Sequence, residues 1–147
     1  MPDDLDHVRR LVADDSLAVA ATTRRDGTIH ASLVNAGVLP HPTTGRPCVA
    51  FVAVGGAAKL QHLRRSGRAC LTFRHGHDWA AVEGPADLAG PADTLDGFAA
   101  DRLPRLLRDI FTAAGGTHED WDTYDRVMAA EGRTAVLIDP VQIFTNR

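Results

Sequence analysis

Cysteine is scarce in this chain, with two in 147 residues. Cys48 and Cys70 each sit inside an apolar, strand-like run, which predicts buried reduced thiols rather than a disulfide and suits a cytoplasmic setting. No apolar stretch approaches the roughly 18 residues that a membrane-spanning helix needs. The opening, PDDLDHVRR after Met1, is charged and lacks an apolar core, so no secretory leader is expected. Basic excess is missing too: 16 Lys and Arg stand against 19 Asp and Glu, a formal net charge of −3. A nucleic-acid surface would need a local patch that composition does not suggest, so the expected partners are a small molecule or a second copy of the chain. No HExxH, CxxC, P-loop, GxGxxG or GxSxG pattern occurs, which leaves nucleotide-triphosphate and covalent serine chemistry without a foothold.

What is present fits one domain over residues 1–147, long enough for a real core. DDLDHVRRLVADD places Leu5, Val8, Leu11 and Val12 on one helical face, with Asp3 or Asp4 as the cap. Ser16 to Thr23 reads as a strand, Asp26-Gly27 as a hairpin turn, and Thr28 to Leu39 as the returning strand. Pro47 to Val54 is a nearly continuous apolar strand after a proline-rich loop. Strands are also expected over Arg68 to Phe73 and Trp79 to Ala89. From Asp93 the spacing of Leu95, Phe98, Leu103, Leu106, Leu107, Ile110 and Phe111 predicts two helical segments, Pro104 lying near the start of the second. Thr117 to Asp120 resembles a capping box for a further helix through Trp121, Tyr124, Val127 and Met128, stopped by Gly132. RTAVLIDPVQIF reads as a last strand interrupted at Pro140. The natural packing is a small antiparallel β-barrel of about six or seven strands with peripheral helices.

The stretch VAVGGAAKLQHLRR carries the clearest chemical signal. An apolar strand runs into Gly55 and Gly56, then into a short helix whose Leu60 and Leu63 face the core. Lys59 falls in the first turn, where the helix dipole is already positive, so an anion there would relieve a conflict. A phosphate could take the free amides and the ammonium together, with the glycines allowing close approach. The plain alternative is an ordinary turn followed by a solvated lysine. His75 and His77, in RHGHDW, read as a polar hairpin turn, and no further ligands can be named for a metal. Trp121 and Tyr124 read as core or dimer contacts, and Trp79 as packing or a site edge. Glu83, if inward-facing, would need a partner such as an arginine.

Read in order, LAVAATTRRDGTIHASLVNAG, VAFVAVGGAAKLQHLRRSGRACLTF, WAAVEGPADL and THEDWDTYDRVMAAEGRTAVLIDPVQIF resemble the pyridoxamine 5'-phosphate oxidase-like flavin and deazaflavin oxidoreductases. Within them the chain is most similar to the branch that uses the deazaflavin coenzyme F420. The resemblance implies an FMN-binding split barrel-like fold, six- to seven-stranded and mainly β, and a homodimer with cofactor sites between the subunits. It assigns Lys59 to the cofactor phosphate and Gly56, Ala57 and Ala58 to backbone contacts with it. Ser32, Val34, Asn35 and Ala36 would line the ring system. Arg65 would reach the phosphate or the anionic tail, and Trp79 would come from the partner subunit. Many members carry Ser, Thr or Arg just before the lysine, whereas this chain has Ala57 and Ala58. It also ends IFTNR, without the R-x-H pattern of true pyridoxamine phosphate oxidases.

The implied reaction is hydride transfer to an electron-poor acceptor such as a tetrapyrrole, quinone or unsaturated lactone, with no catalytic acid identified. The alternatives are the same barrel using FMN, and a non-catalytic protein that binds a cofactor or haem.

Overall fold

The structure, a computed structural model, describes residues 2–146. In chain order it comprises α1 (Pro2–Asp14), β1 (Leu17–Thr23), β2 (Ile29–Pro40), β3 (Pro47–Ala53), α2 (Ala58–Ser66), β4 (Arg68–His75), β5 (Asp78–Ala89), α3 (Leu103–Ala113), α4 (Trp121–Ala130), β6 (Thr134–Ile138) and β7 (Gln142–Thr145). All pairings are antiparallel. β1, β2, β3, β6, β5 and β4 close into a six-stranded ring, and β7 adds to β5. The expected antiparallel barrel is therefore present.

β2 and β5, 12 residues each, belong to both halves of the ring. β2 pairs through Ile29–Asn35 with β1 and through Ala36–Pro40 with β3. β5 pairs through Asp78–Pro85 with β4 and through Ala86–Ala89 with β6. Gly84 marks the step where the last strand breaks into β6 and β7. A Cβ there would lie 1.8 Å from the Asp139 carbonyl oxygen, so only glycine lets the two segments follow one edge of β5.

Alternation sorts the side chains. Val49 and Phe51 of β3 and Val136 and Ile138 of β6 fill the barrel interior with Leu60 and Leu63 of α2. Cys48 and Ala50 of β3 and Ala135 and Leu137 of β6 point outward, under Leu106, Leu107 and Ile110 of α3. Burial on both faces is why these strands read as continuous apolar runs. Val8 and Leu11 of α1 join the interior cluster, with Leu5 and Val12 packed against it. α1 starts at Pro2, so Asp3 and Asp4 lie within its first turn and not at its cap.

Two helical expectations change. The first of the segments expected after Asp93 is not a helix: Gly97 has φ +76°, and only a single 3₁₀ turn at Ala100–Arg102 precedes α3. Leu95 and Phe98 still pack beneath α3, from a loop. Pro104 stands in the first turn of α3 as expected, because a missing N–H costs nothing there. α4 is capped by Asp120, whose carboxylate accepts from the Thr123 N–H, and so starts later than Thr117.

One outer face of the barrel is apolar and uncovered. Leu33, Val19, Thr72, Ala81 and Phe144 follow one another in register across β2, β1, β4, β5 and β7. Leu33 is 64% exposed, Val19 45% and Phe144 45%. Cys70 and Glu83 form the next row. Glu83 therefore points away from the interior, and the arginine that an inward carboxylate would have required is not needed.

Candidate functional site

A cavity of about 380 Å³ opens where β2 and the end of β3 meet the helical pair α3 and α4. Leu33, Val34 and Asn35 form one wall, and Val52, Ala53 and Val54 form the floor. Ile110, Phe111 and Ala114 of α3 face Tyr124 and Met128 of α4. The charged side chains in the lining are Lys59 and Arg133.

The helical wall is rigid by construction. Phe111, His118, Trp121 and Tyr124 contact one another ring against ring, with the Phe111 and Tyr124 centroids 5.1 Å apart. Arg108 of α3 makes a two-pronged pair with Asp125 of α4, its Nε 2.9 Å from Oδ1, and lies over the Trp121 ring. The Tyr124 hydroxyl donates to the Leu107 carbonyl at 3.2 Å. Burial raises its pKa, so it stays a neutral donor. Trp121 and Tyr124 are core contacts, one of the two readings the sequence allowed.

Lys59 is half-buried at the second position of α2. Ala57, the N-cap residue, supplies no side-chain hydrogen bond, so the first-turn amides have no side-chain acceptor. Burial first, and then the nearby charge of Arg133, hold the Lys59 ammonium below the ordinary lysine range. It makes no hydrogen bond or ion pair among the described residues. Gly56 and Ala58 are exposed around it, and a Cβ on Gly56 would touch nothing within 4 Å. Lys59 is the only lysine in the chain.

The remaining predicted residues divide between places. Val34 and Asn35 line the cavity with Lys59, and Asn35 is held by the Ser16 hydroxyl. Ser32 and Ala36 are not part of the lining: Ala36 is fully buried in the interior cluster, and the buried Ser32 Oγ makes no hydrogen bond among the described residues. Arg65 lies further along α2, where it donates to the Thr23 carbonyl. There, with Arg24, Arg25, Gln61, His62 and Arg64, it lines a second hollow of about 490 Å³. Arg64 is neutralised by Asp93, but Arg24, Arg25 and Arg65 pair with no carboxylate among the described residues. His62 Nδ1 lies 2.9 Å from Thr22 Oγ1; desolvation, then His30, Arg24 and Arg65, lower its pKa. Trp79 lies at the edge of the apolar outer face, 37% exposed, and is not part of the cavity lining.

The thiols are quiet. Burial pushes Cys48 up to about 12, and burial, then Glu83, raise Cys70. Both are free. His75 and His77 flank the turn at Gly76, and the His77 carbonyl accepts from Asn146. Among the described residues no three His, Cys, Asp or Glu side chains gather as a metal site would require, and no helix is long and apolar enough to cross a membrane.

Sequence reasoning gave Arg133, Arg24 and Arg25 no role. The arginines flank a hairpin tip and could have been read as a local patch. Arg133 opens RTAVLIDP, the R-x-x-V-x-I-x-P stretch that carries part of the resemblance, but without a role of its own.

No protein-family profile matches the sequence. Among solved structures, a conserved hypothetical protein from Mycobacterium tuberculosis is 17% identical, with a TM-score of 0.68 over 95% of this chain and 82% of that one. A pyridoxamine 5'-phosphate oxidase-related, FMN-binding protein from Nostoc punctiforme is 14% identical, with a TM-score of 0.64 over 98% of this chain and 80% of that one. An F420 reductase is 11% identical, with a TM-score of 0.61 over 92% and 94%. Identities this low speak to the fold alone: this chain has the split-barrel fold that it shares with the pyridoxamine 5'-phosphate oxidase-related protein.

Proposed function

We propose that this chain is an oxidoreductase that binds coenzyme F420 and passes a hydride to an electron-poor small molecule. The observation that carries this reading is Lys59: an unpaired ammonium at the uncapped start of α2, on the rim of a mostly apolar cavity. An anion there gains the ammonium and the free amides of the first turn. The flat walls beyond, Leu33 to Asn35 and Val52, suit a ring system, and the cofactor supplies the hydride chemistry. The protein's part is to orient the ring and to exclude water with Ile110, Phe111 and Met128. F420 is preferred over FMN because Arg65, on the same helix as Lys59, lines a separate hollow with Arg24 and Arg25, a second cationic surface for an anionic tail. A cofactor that ends at its phosphate would leave them unused.

The assembly belongs to this reading. A homodimer formed through the apolar outer face would bury Leu33, Val19 and Phe144. It would also carry the Trp79 of one subunit toward the other's cavity.

Titration with F420 and with FMN, followed by fluorescence, tests the proposal. Tight binding of F420 and weak binding of FMN is expected. Lys59→Ala should weaken F420 by roughly ten- to a hundredfold, the usual worth of a charge-assisted contact. Unchanged affinity would remove Lys59 from the site, and failure to bind either cofactor would favour a protein that holds some other ligand.

A further inference from the structure

Lys59 and Arg133 are distant in sequence, and a contact between two glycine turns brings them to one cavity. The Gly55 N–H donates to the Glu131 carbonyl at 3.0 Å. A Cβ on Gly55 would lie 2.9 Å from the Gly132 carbonyl oxygen, so a larger residue would push the turns apart. Just before this contact β3 pairs Ala53 with Thr134 of β6. The entrance to α2 is thereby fastened to the entrance to β6, one residue from Arg133.

The guanidinium is itself aimed. Arg133 Nε donates to Glu131 Oε1 at 2.8 Å, and its terminal N–H groups make no hydrogen bond among the described residues. Glu131 tethers Arg133 through an ion pair, but among the described residues no carboxylate lines the cavity itself. Two like charges facing one half-buried space repel; burial is the larger cause that holds Lys59 below the ordinary lysine range, and this repulsion adds to it. An anion between them reverses its sign. The turn before Lys59 offers only backbone donors, because Ala57 and Ala58 have no polar side chains.

We propose that Arg133 is the second cation of the phosphate site. With Lys59 and the first amides of α2 it grips a phosphate ester, and it supplies from β6 the polar side-chain contact that the Ala57–Ala58 turn lacks. A guanidinium fork suits two phosphate oxygens at once, as an ammonium does not. This inference rests on the reading that the cavity holds a phosphate-bearing cofactor.

The test compares ligands that differ only in the phosphate-bearing group: FMN against riboflavin, and F420 against its chromophore without the phosphate-bearing tail. Arg133→Gln should weaken the phosphorylated member of each pair roughly ten- to a hundredfold and leave the other unchanged. Arg133→Lys should recover part of the loss. Equal losses for both members, or none, would overturn the assignment. A readout independent of any cofactor is the Lys59 ammonium, observable by NMR without ambiguity in a chain with one lysine. Its pKa should rise in Arg133→Gln, and phenyl phosphate should raise it in the parent protein far more than in that variant. If flavins and deazaflavins fail to bind while phenyl phosphate still gives this difference, the two-cation site stands and the cofactor reading falls. No response to phenyl phosphate in the parent protein would overturn the site itself.

Discussion

At the residue scale Lys59 costs the empty protein stability. Its folded pKa lies below its unfolded value, chiefly through burial. Between those values the unfolded chain binds more protons, so stability rises with pH through that window. At neutral pH the penalty is present in full, although solvent screening keeps it small. Lys59→Met should therefore raise the melting temperature slightly at pH 7, and the gain should shrink as pH approaches the ordinary lysine range. A fall in melting temperature would show that the ammonium is already satisfied. Lys59 could be picked out in the sequence because first-turn position and the absence of a cap are local facts. Arg133 stands in a stretch that the resemblance marks, but its place beside Lys59 depends on the Gly55–Gly132 contact, which no local pattern encodes.

At the element scale, close backbone approach sets the tolerances. Gly84→Ala would press a methyl against the Asp139 carbonyl, a backbone atom that cannot swing away. We expect a cost of about 2–3 kcal/mol or more, measured by urea unfolding, since overpacking of this kind is not relieved by a rotamer change. A neutral result would mean that the step between β6 and β7 is looser than its geometry. The strands were largely legible because alternation and turn residues agree along β1, β2, β4 and β5. The helix expected around Leu95 and Phe98 failed for an instructive reason. Those residues do pack beneath α3, so their apolar character was real, but Gly97 lets a loop deliver them. Apolar spacing reports what must be buried, and the backbone that achieves it is a separate choice.

At the scale of the whole molecule, closure of the ring was only partly legible, since β5 touches β4, β6 and β7 along different stretches. The outer face was hidden for a similar reason: Leu33, Val19 and Phe144 become one patch only once the strands are in register. Val19→Glu should convert the proposed dimer to a monomer in sedimentation experiments, at little cost to the fold, because its side chain is already 45% exposed. An unaltered sedimentation coefficient would place the interface elsewhere. The position of β6 has a consequence of its own, in time. It fills the gap between β3 and β5, so on the ribosome both edges stay open until Thr134–Ile138 has been synthesised. Until that closing strand is made, the open edge of β3 is an invitation to wrong pairing. Arg133 emerges immediately before that strand, so the complete anion site and the closed barrel become available to a ligand at nearly the same moment.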